Sequence, residues 1–115
     1  MCSIAPVEHW DLRTIDVEAH KPVVLHSTRG EARSVVLHLP AGEALSEHQV
    51  HERAHVVVAD GEVEVGADET TIRAGAGALF VFDPGERHEV RAIADARLLL
   101  VLAPWPGEGH PGARD

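Results

Sequence analysis

The feature that most limits how this chain can fold is the rhythm of its breakers. Pro22, Arg29-Gly30, Pro40-Ala-Gly42, Asp60-Gly61, Gly66, Gly75-Ala-Gly77, Asp83-Pro84-Gly85, Ala94-Asp95 and Pro104 punctuate the sequence. Between them lie short runs of Val, Leu and Ile. Strand-length segments at a regular spacing of about 8–12 residues indicate a sandwich or barrel. PVVLHST and SVVLHL read as strands, and Asp60-Gly61 is expected to turn a hairpin into EVEV. That return strand would carry Val63 and Val65 on one face and Glu62 and Glu64 on the other. TTIRA, ALFVF and HEVRAI follow, the last with His88, Val90 and Ala92 sharing a face. ARLLLVLAP is apolar throughout and predicts a buried strand.

No stretch carries a 3.6-residue apolar stripe. VEHWDLRTIDVEAH comes nearest, but it is short and rich in β-branched residues, which disfavour helix. The fold class is therefore all-β. A length of 115 residues allows one domain with a modest core. We assign residues 1–115 to that domain, with a body over about 20–104 and an irregular Pro/Gly-rich tail, WPGEGHPGARD, over 105–115. Trp105 is placed to pin the tail to the body.

The net charge of −9 comes without any Lys/Arg cluster and excludes a phosphate-backbone partner. The longest apolar run, LLLVLAPW, is far short of the ~20 residues a membrane helix needs. Cys2 is the single cysteine, so no internal disulfide forms, and MCSIAPVEHWDL lacks the features of a secretory signal. A soluble cytoplasmic protein is expected.

Nine histidines are the compositional anomaly, because imidazole is the commonest metal ligand. His9, His20 and His110 read as surface residues, and His26 and His38 as hydrogen-bonded strand residues. The others gather in HQVHERAHVVVADGEVEV and at His88. HERAH matches the H-E-x-x-H signature of zinc proteases, which requires a helix to set both histidines on one face. Val56, Val57, Val58 and Asp60-Gly61 oppose that helix. On an extended strand, His51 and His55 would stand ~13 Å apart. One ion with Zn–N distances of ~2.0–2.1 Å cannot reach both. A shared metal would therefore require the chain to fold back through Glu52-Arg53-Ala54 and a further ligand from elsewhere.

These residues resemble the cupin superfamily. Its first motif, G-x5-H-x-H-x3-4-E-x6-G, is met by Gly42, His48 and Gly61; its second, G-x5-P-x-G-x2-H-x3-N, by Gly77, Gly85 and His88. The resemblance spans roughly residues 35–103. Val50, Ala54, Asp83 and Ala92 depart from it, and His51 and His55 lie one residue beyond the motif's His and Glu positions. One extra residue after His48, a bulge, would bring both back into line. The resemblance implies a single jelly-roll β-barrel with His48, His51, His55 and His88 around a divalent transition metal. Zn or Ni is favoured, with Fe, Mn or Cu as the other candidates. Glu47 and Glu52 read as solvated, although either could replace a histidine and give a two-His-one-carboxylate site.

Two functions stay open. One is a metal-dependent oxygenase, isomerase or lyase acting on a small organic substrate. The other is a non-catalytic module or sensor that binds a metal or small molecule, or has lost its metal. A small-molecule ligand and a homodimer are the implied partners, with an exposed N-terminal strand such as PVVLHST as the pairing surface.

Overall fold

The computed structural model describes residues 7–48, 52–67, 69–86 and 88–104. Among the described residues seven strands form one sheet: β1 (Val23–Ser27), β2 (Arg33–Leu39), β3 (Ala44–His48), β4 (Arg53–Ala67), β5 (Thr70–Gly75), β6 (Leu79–Phe82) and β7 (His88–Ala103). No helix occurs among the described residues, hence none long and apolar enough to cross a membrane. The all-β reading holds, and the rolled sheet is the jelly-roll type.

Two long antiparallel strands, β4 and β7, form the spine, in register from Arg53↔Ala103 to Gly66↔Glu89. Short strands flank each half of it. β2 and β3 pair with the two halves of β7, and β6 and β5 with the two halves of β4; β1 lies outside β2. The core draws on both halves: Val56, Val58, Phe82, Leu98 and Leu102 from one, Val63, Val65, Val90 and Ala92 from the other.

Two expectations need correction. Asp60-Gly61 does not turn a hairpin, and Ala94-Asp95 does not end a strand; β4 and β7 run through both places. Instead the two strands bend together, with register shifts between Val58 and Val63. Gly61 adopts φ +86°, and a Cβ there would lie 2.1 Å from the Asp95 carbonyl oxygen. Residues that elsewhere mark turns here mark a barrel corner, where one backbone presses on the other. The Asp95 side chain also accepts the Ala41 amide at 2.8 Å, tying the β2–β3 turn to the same corner. β3, unassigned in the sequence reading, is held beside it by Gly42 N–H donating to Ala92 and Ala92 N–H donating to Glu43.

The segment before β1 is neither helical nor loose. Arg97 donates to the carbonyls of Leu12 and Ile15, Ala19 bridges to His38, and Val17 is buried. These ties lay the segment across the outer face of β2 and β7. Arg97→Met keeps the stem but removes both bonds, which are worth about 1–3 kcal/mol as charge-assisted pairs. Amide exchange of residues 8–20 should quicken several-fold while the spine stays protected. Unchanged exchange there would show that the strap is held by other contacts.

Candidate metal and ligand site

His88 opens β7, and with Val90 and Ala92 it faces the interior; it is 3% exposed. The turn before it sets its position. Asp83 N–H donates to the Glu86 carboxylate at 2.9 Å, and Glu86 N–H donates to the Asp83 carbonyl at 3.0 Å. The Glu86 carbonyl lies 3.3 Å from His88 Nδ1. When Nδ1–H donates to that carbonyl, the tautomer is fixed and Nε2 carries the lone pair. Phe82 stacks on the ring at 3.9 Å and 8°, restricting its rotation. Burial lowers the His88 pKa, and the neighbouring Glu86 carbonyl and carboxylate oppose this only in part. The imidazole is thus kept neutral and oriented.

His48 ends β3, and its backbone stands directly opposite that of His88. Leu45 pairs with Val90, so three steps on β3 match two on β7. A bulge thus precedes His48; the one anticipated after it lies outside the described residues. Antiparallel partners have Cα atoms about 4.5–5.5 Å apart, so the register joins two positions 40 residues apart in sequence. His51 lies outside the described residues.

His55 is not brought to this group. On the first half of β4 the buried positions are Ala54, Val56 and Val58, so His55 lies on the opposite, outer face, paired with Val81 and Val101. The run of valines hid the alternation: only the burial of Ala54 settles which face His55 takes. The expectation of a solvated Glu52 is also corrected. Glu52 is 3% exposed and begins the buried alternation that continues through Ala54, Val56 and Val58. Its spacing from those residues was the available signal. Glu47 belongs to β3. Among the described residues, no three His, Cys, Asp or Glu side chains converge on one point.

A cavity of about 270 Å³ adjoins Phe82, lined by Val65, Ile72, Phe80 and Glu86 among others. Ile72, in register with inward-facing Val65, is 49% exposed, which marks this as an open side of the barrel. A separate cleft of about 230 Å³ lies between the N-terminal strap and β2–β3. There His20, at φ 66°, places Nε2 3.0 Å from Glu43 Oε1. His38 lines the same cleft, and His26 is exposed on β1 beside Glu8 at 3.7 Å.

Residues 35–103 match the profile of the cupin domain family, more than half of the chain. The chain is a cupin. Solved cupin structures cover nearly all of it. A RmlC-like cupin protein from Desulfovibrio desulfuricans is 27% identical at a TM-score of 0.68, covering 90% of this chain and 97% of its own. A RmlC-like cupin with a double-stranded β-helix fold from Methanocaldococcus jannaschii is 19% identical at 0.70, covering 91% and 95%. A conserved protein of unknown function from Streptococcus pyogenes is 23% identical at 0.69, covering 89% and 94%. No curated protein matches this cupin. In the cupin frame, Ala54 occupies the position of the first motif's Glu, and buried Glu52 lies two residues before it.

Proposed function

We propose that this cupin binds a divalent transition metal at the open end of its barrel, with His48 and His88 as paired ligands. His51 is kept from the sequence motif and buried Glu52 is a further candidate donor, and His55 is left out because it faces away. The observation that carries the reading is the cross-strand register of His48 with His88, together with the tautomer that the Glu86 carbonyl favours. Imidazoles alone suit Zn or Ni; a Glu52 carboxylate beside two imidazoles would suit Fe or Mn. Such an ion polarises an oxygen of a bound organic molecule. Phe82 holds the His88 ring in place, while Val65, Ile72 and Phe80 receive the apolar part of a small ligand and exclude water. The chemistry is of the isomerase, lyase or oxygenase kind on a small, largely apolar substrate.

Elemental analysis of untagged protein tests this. His88→Ala and His48→Ala should each lower metal content at least ~10-fold, as loss of one ligand or its support does, with the circular dichroism of the barrel unchanged. His55→Ala should keep its metal. Full retention in both His48→Ala and His88→Ala would refute the site.

The alanine at the motif's Glu position supports a second reading, a metal-free binder of small apolar ligands in the cavity beside Phe82. It requires that ligand binding survive chelation and that His88→Ala not lower metal content.

A further inference from the structure

The seam between the N-terminal strap and the β2–β3 turn holds a cleft that the proposed metal site does not use. Its volume is about 230 Å³; Pro22, Leu37 and Leu45 supply aliphatic wall, and His20, His38 and Glu43 are polar groups on it. The strap is fixed beside it by the backbone bridge of Ala19 to His38. His20 adopts φ 66°, the one positive value outside glycine among the described residues. A bulky L-residue stays in that conformation only where its surroundings over-determine it, and such strain gathers at ligand clamps. Here it sets the imidazole Nε2 3.0 Å from Glu43 Oε1.

Two acceptors in the cleft are left over. With neutral His20 donating to Oε1, the other Glu43 oxygen has no partner among the described residues, and neither has the His38 ring. Half-buried acceptors beside an apolar wall are satisfied by a donor. The cations around the cleft are engaged elsewhere. Lys21, the only lysine of the chain, lies 3.7 Å from Glu18, and Arg91 donates to the Gly42 carbonyl at 3.5 Å. Arg97, the register partner of His38, holds the strap carbonyls of Leu12 and Ile15. The cleft therefore carries a surplus of acceptors and negative charge, in a chain of net charge −9 whose field draws cations.

We propose that this cleft binds a small primary ammonium compound with an aliphatic body. Glu43 takes the ammonium through a charge-assisted hydrogen bond, His38 accepts a second N–H, and Pro22, Leu37 and Leu45 receive the hydrocarbon. The size and chemistry of the cleft narrow the class. Its volume lies below the ~300–1,000 Å³ of sites for drug-sized molecules, so the ligand is smaller than those. Among the described residues no Phe or Trp lines it, so a quaternary ammonium finds no ring face to sit on. A primary ammonium has three N–H donors for the two acceptors. A carboxylate ligand would instead meet Glu43 as a like charge.

Titration of the untagged, isotope-labelled full chain with cyclohexylmethylammonium, followed by amide NMR shifts, tests this. Saturation with a Kd on the order of 10⁻⁴–10⁻³ M is expected, with shifts centred on residues 19–22, 37–39 and 43–45. Cyclohexylmethanol, cyclohexanecarboxylate and the N-trimethylated amine should each bind at least ~10-fold more weakly, the factor a charge-assisted hydrogen bond commands. Glu43→Gln should weaken the ammonium by a similar factor and leave the alcohol unchanged. Gln keeps an acceptor for His20, so the strap stays in place. His38→Leu should weaken the ammonium several-fold. His88→Ala and added chelator should change nothing, which separates this cleft from the proposed metal site. Several results would overturn the proposal: equal binding of ammonium and alcohol, shifts centred on residues 65–86, or no saturation by ~10 mM. Parent-like affinity in Glu43→Gln, or loss of binding in His88→Ala, would overturn it equally.

Discussion

Gly61→Ala is expected to melt roughly 12–24 °C below the parent protein. Two costs combine at this one methyl group. Gly61 sits at φ +86°, a left-handed conformation that costs an L-residue about 1–2 kcal/mol. The added Cβ would also lie 2.1 Å from the Asp95 carbonyl oxygen and 2.7 Å from Ala96 Cα. Both are backbone atoms of β7, so no rotamer change can relieve the contact, and the spine must spread at its corner. Overpacking of this kind costs about 1–3 kcal/mol. A total of ~3 kcal/mol corresponds to that melting shift in a domain of this size, at about 4–8 °C per kcal/mol. Gly66→Ala on the same strand is the control: a Cβ there meets nothing within 4 Å, and its melting temperature should scarcely move. A Gly61→Ala protein melting within about 2 °C of the parent would mean that β4 and β7 do not press together there.

The same corner explains how far the fold was legible. The breakers and β-branched runs identified strands correctly because local chemistry decides whether a segment can be extended. Those cues do not distinguish a turn from a bend. Asp60-Gly61 satisfies a hairpin turn and a barrel corner equally, and the choice rests on Asp95, 34 residues away in sequence. β3 was missed for a related reason: ALSEH has one branched apolar side chain, and it is a strand because β7 offers it a partner edge. The alternation of His88, Val90 and Ala92 was readable, since polar residues intervene. The valines after His55 blurred the phase, and only packing set it. The site divides the same way. The motif frame pointed to His48 and His88, but that they are register partners depends on a bulge between Leu45 and His48, while the inward turn of Glu52 follows the alternation it shares with Ala54, Val56 and Val58.

Stability in the presence of a chelator should fall as pH drops below about 6.5, and His88 should account for a measurable share of the fall. Burial among aliphatic side chains and against Phe82 lowers its pKa in the folded state from the ordinary 6.5. The unfolded chain therefore binds this proton more tightly than the folded one. Between the folded value and 6.5, ν for the unfolded state exceeds ν for the native state, so stability rises with pH. It is fully present above 6.5 and is lost on acidification until the folded pKa is passed; one proton contributes at most about 1.4 kcal/mol per pH unit within that window. His88→Gln keeps a polar side chain but cannot titrate. Its melting temperature should accordingly decline less than the parent's between pH 7.5 and 5. The exposed pairs His20–Glu43 and His26–Glu8 are present in both proteins and cancel in the comparison. The direction matters for the proposed metal too. An imidazole that resists protonation remains a ligand at a pH where an ordinary histidine is already losing its lone pair. Parallel pH profiles for parent and His88→Gln would show that burial does not hold this ring neutral, and the argument for a poised Nε2 would fail with it.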